Sequence, residues 1–352
     1  MNQLDEIIIN LNPIPFFVAF IVTLGITPIV KKVALTLKVL DHPNTRKIHH
    51  HSVPLLGSIA VYLGILAALG VSQWSDPFQR EVLIIFLSGT FLLIIGILDD
   101  WGLLHPQIKL MVAMPVAALI LIYFDSGLKL FPINFLNYFF TLFWIVGITA
   151  AYNLLDGMDG LSTGVCLIAS FFYLMIGMAI GDRFLIFLSL SLMGACLAFL
   201  IYNFYPAKIF LGDSGAILLG FLLSSLGLRV ANTDSLPVFT RWMLPILILT
   251  VPIFDTSLIT LSRARRGLMP FLHPGKDHSH HRLYNLGLGQ RKTVLIIYLL
   301  GIIGGFFSLM IYRLSTFSGY IVFGFLIFAG LTLLFLFEKL PFERQEFSKG
   351  RI

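Results

Sequence analysis

The chain has 352 residues, of which 57% are hydrophobic, 14% aromatic and only 12% charged. Soluble domains carry about 25% charged residues, so a chain at half that share with long uncharged runs belongs in a bilayer; a soluble enzyme, a disordered protein and a disulfide scaffold are excluded. The net charge of +6 follows from where lysine and arginine flank the apolar runs, and it calls for no nucleic-acid partner.

Apolar runs bounded by charge or turn residues predict eleven helices, at about 14–36, 55–73, 81–98, 107–125, 137–152, 161–180, 183–203, 214–230, 241–262, 293–313 and 319–338. In hydrocarbon such runs must pair their backbone polar groups internally, so the expected fold is an all-α polytopic membrane protein of about 10–11 spans. One integral membrane domain is expected over 1–352: a motif-bearing region at about 14–290, two last helices at 293–338 and a tail at 339–352. The segment MNQLDEIIINLNP has Asp5 and Glu6 where a secretory signal has basic residues, so the first run reads as a retained helix. Cys166 and Cys196 fall inside apolar runs and read as small buried hydrophobes, not a bridge.

Of the 24 lysines and arginines, only Arg80, Lys129, Arg183, Arg229, Arg241 and Arg313 follow even-numbered spans. The other 18 lie on the opposite side, which places the N-terminus outside and the C-terminus in the cytoplasm. All nine histidines fall on that same inner side, as do Asp41, Asp99, Asp100, Asp156, Asp159, Asp213 and Asp277. Chemistry is therefore expected at the cytoplasmic face.

Five polar clusters follow in chain order. The first inner loop, DHPNTRKIHHHSVPLLGS, reads alone as a solvated loop and with the others as one wall of a polar bowl. Asp99 and Asp100 end the third span; adjacent acids at a bilayer margin want a cation or a shared proton, which suits a metal site or a general base. In AYNLLDGMDGLSTG, Asn153, Asp156 and Asp159 recur every third residue and so share one helix face, a set of hard oxygens suited to Mg²⁺ or Mn²⁺. In FLGDSG, Asp213 opens the eighth span, as an N-cap or as an acid that holds a metal beside a phosphate. The long loop after the ninth span holds Arg263, Arg265 and Arg266, which serve at least in part as membrane anchors, and then Lys276, His278, His280, His281 and Arg282, a dense set of donors for a pyrophosphate. Zinc is the competing reading there; no cysteine accompanies these histidines and the spacing is compact. Asp255, inside the ninth span, is an intramembrane acid and a functional candidate, or else a hydrogen-bond partner of a neighbouring helix.

Taken in order, D-x-P-x-x-R-K-x-H, Asp99-Asp100, N-x-x-D-G-x-D-G-L, F-L-G-D-S-G and His-x-His-His make a pattern that resembles the polyprenyl-phosphate N-acetylhexosamine-1-phosphate transferases over about 14–290. The resemblance implies transfer of a sugar-1-phosphate from a UDP-N-acetylhexosamine to undecaprenyl phosphate, with UMP released, in the bacterial cytoplasmic membrane. It implies Asn153 and Asp213 as Mg²⁺ ligands, Mn²⁺ being able to replace it, with Asp156 close by. Asp99 and Asp100 take the place of the pair that activates or orients the lipid phosphate, and Lys109 that of a lysine near it. Phe210 is similar in position to a residue that stacks uracil, and Asp159 to one that hydrogen-bonds it. His278, His280, His281 and Arg282 match a loop that grips the diphosphate or sugar, and Lys47, Arg263 and Arg265 join the substrate-binding set. The form His-x-His-His-Arg-Leu is closer to the N-acetylglucosamine branch than to the muramoyl-pentapeptide branch. Family members often pair as homodimers through membrane helices. Two departures stand out: Ala150 where many members have Asn, and Ser58 where many have a second Gly after Gly57. Rival readings are a muramoyl-pentapeptide-type transferase and a transporter; a transporter predicts polar residues at mid-span on several helices, whereas here they crowd one side.

Overall fold

The computed structural model describes residues 12–43, 51–71, 78–104, 106–269 and 275–342. Lys47 lies outside the described residues, with Arg46, His49, His50, His105 and His273.

Every predicted run is a helix. They are α1 (Ile14–Thr36), α2 (Gly57–Val71), α3 (Phe78–Asp100), α4 (Lys109–Tyr123), α5 (Asn134–Leu155), α6 (Leu161–Ile180), α7 (Arg183–Asn203) and α8 (Asp213–Ala231). There follow α9 (Val238–Ile248), α10 (Thr250–Arg265), α11 (Ser279–Leu283), α12 (Gly289–Arg313) and α13 (Thr316–Glu338). The predicted ninth span is thus two helices, bent by 76° at Leu249. Pro252 causes this locally: without an N–H it cannot bond the Ile248 carbonyl, so the ladder breaks there.

The chain is a multi-pass membrane protein. Among the described residues, eight helices are long and apolar enough to cross a bilayer, or nine if the bent pair is one span. This is fewer than the 10–11 expected. The shortfall is α2 and α4: α2 has 15 described residues, about 22 Å of helix against about 30 Å of hydrocarbon. A second departure from all-α is small: Leu40–Asp41 (β1) and Val53–Pro54 (β2) pair antiparallel across the neck of the loop between α1 and α2.

Helix α8 is the centre of the bundle. Every residue from Ser214 to Leu228 is buried, and α2, α3, α5, α6, α7 and α9 all pack on it. Lipid tails are as apolar as leucine, so this packing rests on close approach rather than on water exclusion. Gly220 provides one such approach, because a Cβ there would come within 2.6 Å of Tyr152 Cβ on α5. At the C-terminal end of α8, Arg229 donates to Asp182 (2.7 Å) and Glu81 (2.7 Å), tying it to α7 and α3. The opposite end of the same helix carries Asp213. Cys166 and Cys196 are buried and unbridged, as expected.

Candidate active site

The N-terminus of α8 presents orphan backbone N–H groups that need acceptors. Gly212, just before it, has φ +81, a conformation that favours glycine, and offers no side chain for the task. Asp100 does this work from α3. One carboxylate oxygen accepts the Asp213 N–H (2.9 Å); the other accepts the Ser214 hydroxyl (2.6 Å) and N–H (3.3 Å). Helix α3 comes this near because Gly96 lies against Ser214, where a Cβ would overlap the backbone. On the far side Ser58 Oγ sits 2.7 Å from Ser214 Oγ, so the Gly-to-Ser departure adds a hydrogen bond to the cap. The other departure, Ala150, is a buried small residue of α5.

Because Asp100 caps the helix, Asp213 is not consumed as an N-cap. Its carboxylate instead accepts from Lys109, whose Nζ also donates to Asp99 (2.5 Å). Lys109 is 8% exposed and opens a π-helical turn, Lys109–Ala113, a local widening that recurs at functional positions. One buried ammonium thus holds two acids from α3 and α8 together.

The Asp-Gly turns form the next wall. Asp156 ends α5 and Gly160 begins α6. Asn203 fastens the turn: its Oδ1 accepts from Gly160 N–H (3.1 Å) and the Thr163 hydroxyl (3.1 Å), while its amide donates to the Ile209 carbonyl (3.0 Å). Tyr298 on α12 donates to the Gly160 carbonyl (2.5 Å). Asp159 accepts from the Ala207 N–H (2.8 Å), which pins the Phe210 segment to the same turn. A cleft of about 420 Å³ results, lined by Asp99, Asp100, Asp156, Asp159 and Asp213, with Phe210, Asp41, Asn203, His281 and Gln290 around them. Burial pushes the Asp156 carboxyl up to about 7, and the charges of Asp213, Asp100 and Asp41 push the same way. Such a group is ready to exchange its proton for a cation.

Asn153, three residues before Asp156, is not among the residues that line the cleft. Its Oδ1 is buried with no hydrogen-bond partner among the described residues, an orphan hard oxygen near the end of α5. Together with the acids, this donor set fits Mg²⁺ or Mn²⁺.

The histidine loop is built differently. Burial alone would raise Asp277, but the Arg263 guanidinium grips it in two places (3.0 and 2.7 Å) and a bond from Arg266 adds to the pull, so the carboxyl falls to about 2. Asp255 accepts from His278 Nδ1 (2.7 Å) and from the Ser279 N–H and hydroxyl (2.7 and 2.6 Å). Asp255, His278 and His280 bring one ligand atom each within 4.8 Å of one another. The sequence-based objection to zinc did not foresee that the third group would come from α10. Both Asp255 oxygens already serve hydrogen bonds, however, and imidazole nitrogens are not the hard donors Mg²⁺ selects.

Two expected substrate-binding arginines are placed elsewhere. Arg282 is fully buried, and its donors reach the Asp277 carbonyl (2.9 Å), Ser262 Oγ (2.9 Å), the Phe337 and Glu338 carbonyls (2.9 and 3.1 Å) and Glu338 Oε2 (3.1 Å). It ties the loop to the end of α13. Arg263, 2% exposed, is bound to Asp277. Both are loop scaffold in this arrangement, because a guanidinium with its donors spent inside the protein has none for a diphosphate. Arg265 is exposed at the end of α10.

The geometry accords with relatives found by sequence comparison. The family model for glycosyl transferase family 4 matches residues 82–231, which run from α3 through α8. A Bacillus subtilis protein named as a probable undecaprenyl-phosphate N-acetylglucosaminyl 1-phosphate transferase is 36% identical over 86% of this chain and 85% of its own length. The chain belongs to glycosyl transferase family 4. Other relatives include a Mycolicibacterium smegmatis decaprenyl-phosphate N-acetylglucosaminephosphotransferase, 31% identical over 80% of this chain and 77% of its own. An Escherichia coli K12 undecaprenyl-phosphate alpha-N-acetylglucosaminyl 1-phosphate transferase is 28% identical over 76% of this chain and 75% of its own. The matched family region contains Asp99, Asp100, Lys109, Asn153, Asp156, Asp159, Phe210 and Asp213 and stops short of the histidine loop. Sequence reasoning missed Asn203, Tyr298 and Gln290. Asn203 stands two residues before Tyr205-Pro206 and had that turn as its only signal; the other two lie in apolar or loop sequence without one.

Proposed function

We propose that this protein transfers N-acetylglucosamine-1-phosphate from UDP-N-acetylglucosamine to undecaprenyl phosphate at the cytoplasmic face of the bacterial inner membrane. The observation that carries the reading is the release of Asp213 from helix capping by Asp100. It leaves a carboxylate at the mouth of α8, paired with Lys109, in a cleft that Asp99 and Asp156 also line. Family membership and the names of the relatives supply the substrate class.

The reaction balances without a net proton. An oxygen of the lipid phosphate attacks the sugar-bearing phosphorus of the donor; the bond from that phosphorus to the oxygen of the departing nucleotide breaks, and UMP leaves with the electron pair. Two anions must meet in line, so the site needs donors and a cation to spread charge as it develops. Asn153 and Asp213 would hold Mg²⁺ or Mn²⁺, which when bound supplies a Lewis acid for the donor's diphosphate and the departing UMP. Lys109 is assigned to the lipid phosphate, and Asp99 holds that lysine in place. Asp100 acts by fixing the start of α8, so its part in activating the acceptor is indirect. Phe210 and Asp159, on the cleft wall, are assigned to uracil. His280 and His281 are assigned to the diphosphate-sugar.

The test is UMP release by the purified protein in detergent with undecaprenyl phosphate, Mg²⁺ and a panel of UDP-amino sugars. Release that requires both lipid phosphate and metal, fastest with UDP-N-acetylglucosamine, is the expected result. UMP from none of the donors, in protein shown to be folded, would sink the transferase reading; preference for a UDP-muramoyl-pentapeptide would move it to the other branch.

A further inference from the structure

Asp255 has no part in the site as described so far, yet it is fully buried and all its acceptor capacity is directed at one short segment. A carboxylate beside His278 Nδ1 makes that nitrogen the proton carrier, which fixes the tautomer and leaves Nε2 as the ring's other functional atom. The second Asp255 oxygen takes the Ser279 N–H and hydroxyl, and so caps α11, for which His278 supplies no side-chain cap. One residue on, the His280 ring is buried with neither nitrogen partnered among the described residues. Its Nε2 abuts Gly157 so closely that a Cβ there would overlap it. Gly157 and His281 both line the cleft.

These contacts form one chain of support from α10, through His278 and Ser279, to the two histidines nearest the acids. On the transferase reading given above, we propose that Asp255 is a positioning residue for the donor sugar-nucleotide: it sets the His278 tautomer and the seat of α11, and thereby holds His280 and His281 against the diphosphate-sugar. Asparagine at this position keeps the shape and can still accept from Ser279, but it turns its NH₂ towards His278 and so favours the opposite tautomer. A group that orients a functional histidine from behind is worth about 10–100-fold in activity.

The experiment compares wild type, Asp255→Asn, His278→Gln and the double variant in UMP release, with the donor and undecaprenyl phosphate varied separately. It adds nitrogen-15 NMR of histidine-labelled protein, with His278 assigned through His278→Gln. Expected are a protonated Nδ1 on His278 in wild type and its loss in Asp255→Asn. With this goes a 10–100-fold fall in kcat/KM for the UDP-sugar, while KM for the lipid phosphate holds. The double variant should lose no more than the worse single one, because both act through one bond. Wild-type donor kinetics in a folded Asp255→Asn, or losses that multiply in the double variant, would overturn the proposal. If Asp255→Asn does not fold, a wild-type His278 protonated on Nε2 alone still overturns it. A stoichiometric transition metal in the purified wild type, absent from either variant, would replace positioning by metal ligation. Absence of UMP from wild type itself strikes the transferase reading, while the tautomer signal still decides whether Asp255 sets His278.

Discussion

Two polar clusters meet at one cleft, the second reaching it through His281, and they differ in how their charges are balanced. Around the start of α8, Asp99, Asp100, Asp156, Asp159 and Asp213 line the cleft, and the ammonium that bridges two of them is Lys109. In the loop from α10 to α11 the acids are matched: Asp277 has Arg263 and Arg266, Glu338 has Arg282, and Asp255 has His278. The first cluster is short of positive charge and can gain it from a metal or give it meaning by binding a substrate with one. The second is closed on itself, so its charges hold a shape.

The largest expected effect strikes the open cluster. Asp213→Asn should cut kcat by about a hundred- to a thousand-fold while the thermal midpoint in detergent changes little, since the α8 cap is made by Asp100. Equal losses of both would make Asp213 structural and erase the contrast. In the closed cluster the order reverses: Arg282→Ala strands Glu338 and the carbonyls at the end of α13 and should cost about 3–5 kcal/mol, read as a lowered unfolding midpoint. An alanine variant of wild-type stability and poor donor binding would return Arg282 to the diphosphate.

Asp100 lies between the two cases. Asp100→Ala should cost about 1–2 kcal/mol by uncapping α8, whereas Asp100→Asn keeps an acceptor and should lose clearly less. Identical stability in both variants would mean that the cap contributes nothing.

The smallest effect is a pair of opposite pH responses. Asp156 is raised to about 7, so the folded metal-free protein keeps a proton that the unfolded chain gives up near pH 4; its stability falls as pH rises from about 4 to about 7. Asp277 is lowered to about 2, so its contribution is present above about pH 4 and is lost as pH falls towards 2. Melting in chelator across pH 5–7 should slope downward in wild type and become shallower in Asp156→Asn. Melting between pH 2 and 4 should slope upward and become shallower in Asp277→Asn. Slopes unaffected by the substitutions would assign them to other groups.

Helix positions were legible in the sequence because hydropathy and turn residues report them directly; all eleven runs became helices. Which of them are long enough to cross was less so: Leu55 and Leu56, and Phe124 and Asp125, are apolar-run flanks that lie outside the helices. Within the site, residue types were readable and partners were not. Asp100 and Ser214 are separated by more than a hundred residues, and their bond depends on Gly96 letting α3 meet α8, a tertiary fact without a local signature. The partners of Arg282 were hidden for a related reason. In a loop rich in basic residues each one looks equally available, and only the fold shows that this one is spent on the carbonyls of α13.

The most direct test of where the chemistry sits is Mn²⁺ binding followed by electron paramagnetic resonance, in wild type, Asp213→Asn and Asp255→Asn, with UDP-N-acetylglucosamine present. One Mn²⁺ bound in wild type and in Asp255→Asn, and lost in Asp213→Asn, is the result this account predicts. Mn²⁺ retained in Asp213→Asn and lost in Asp255→Asn would place the metal among the histidines and contradict it.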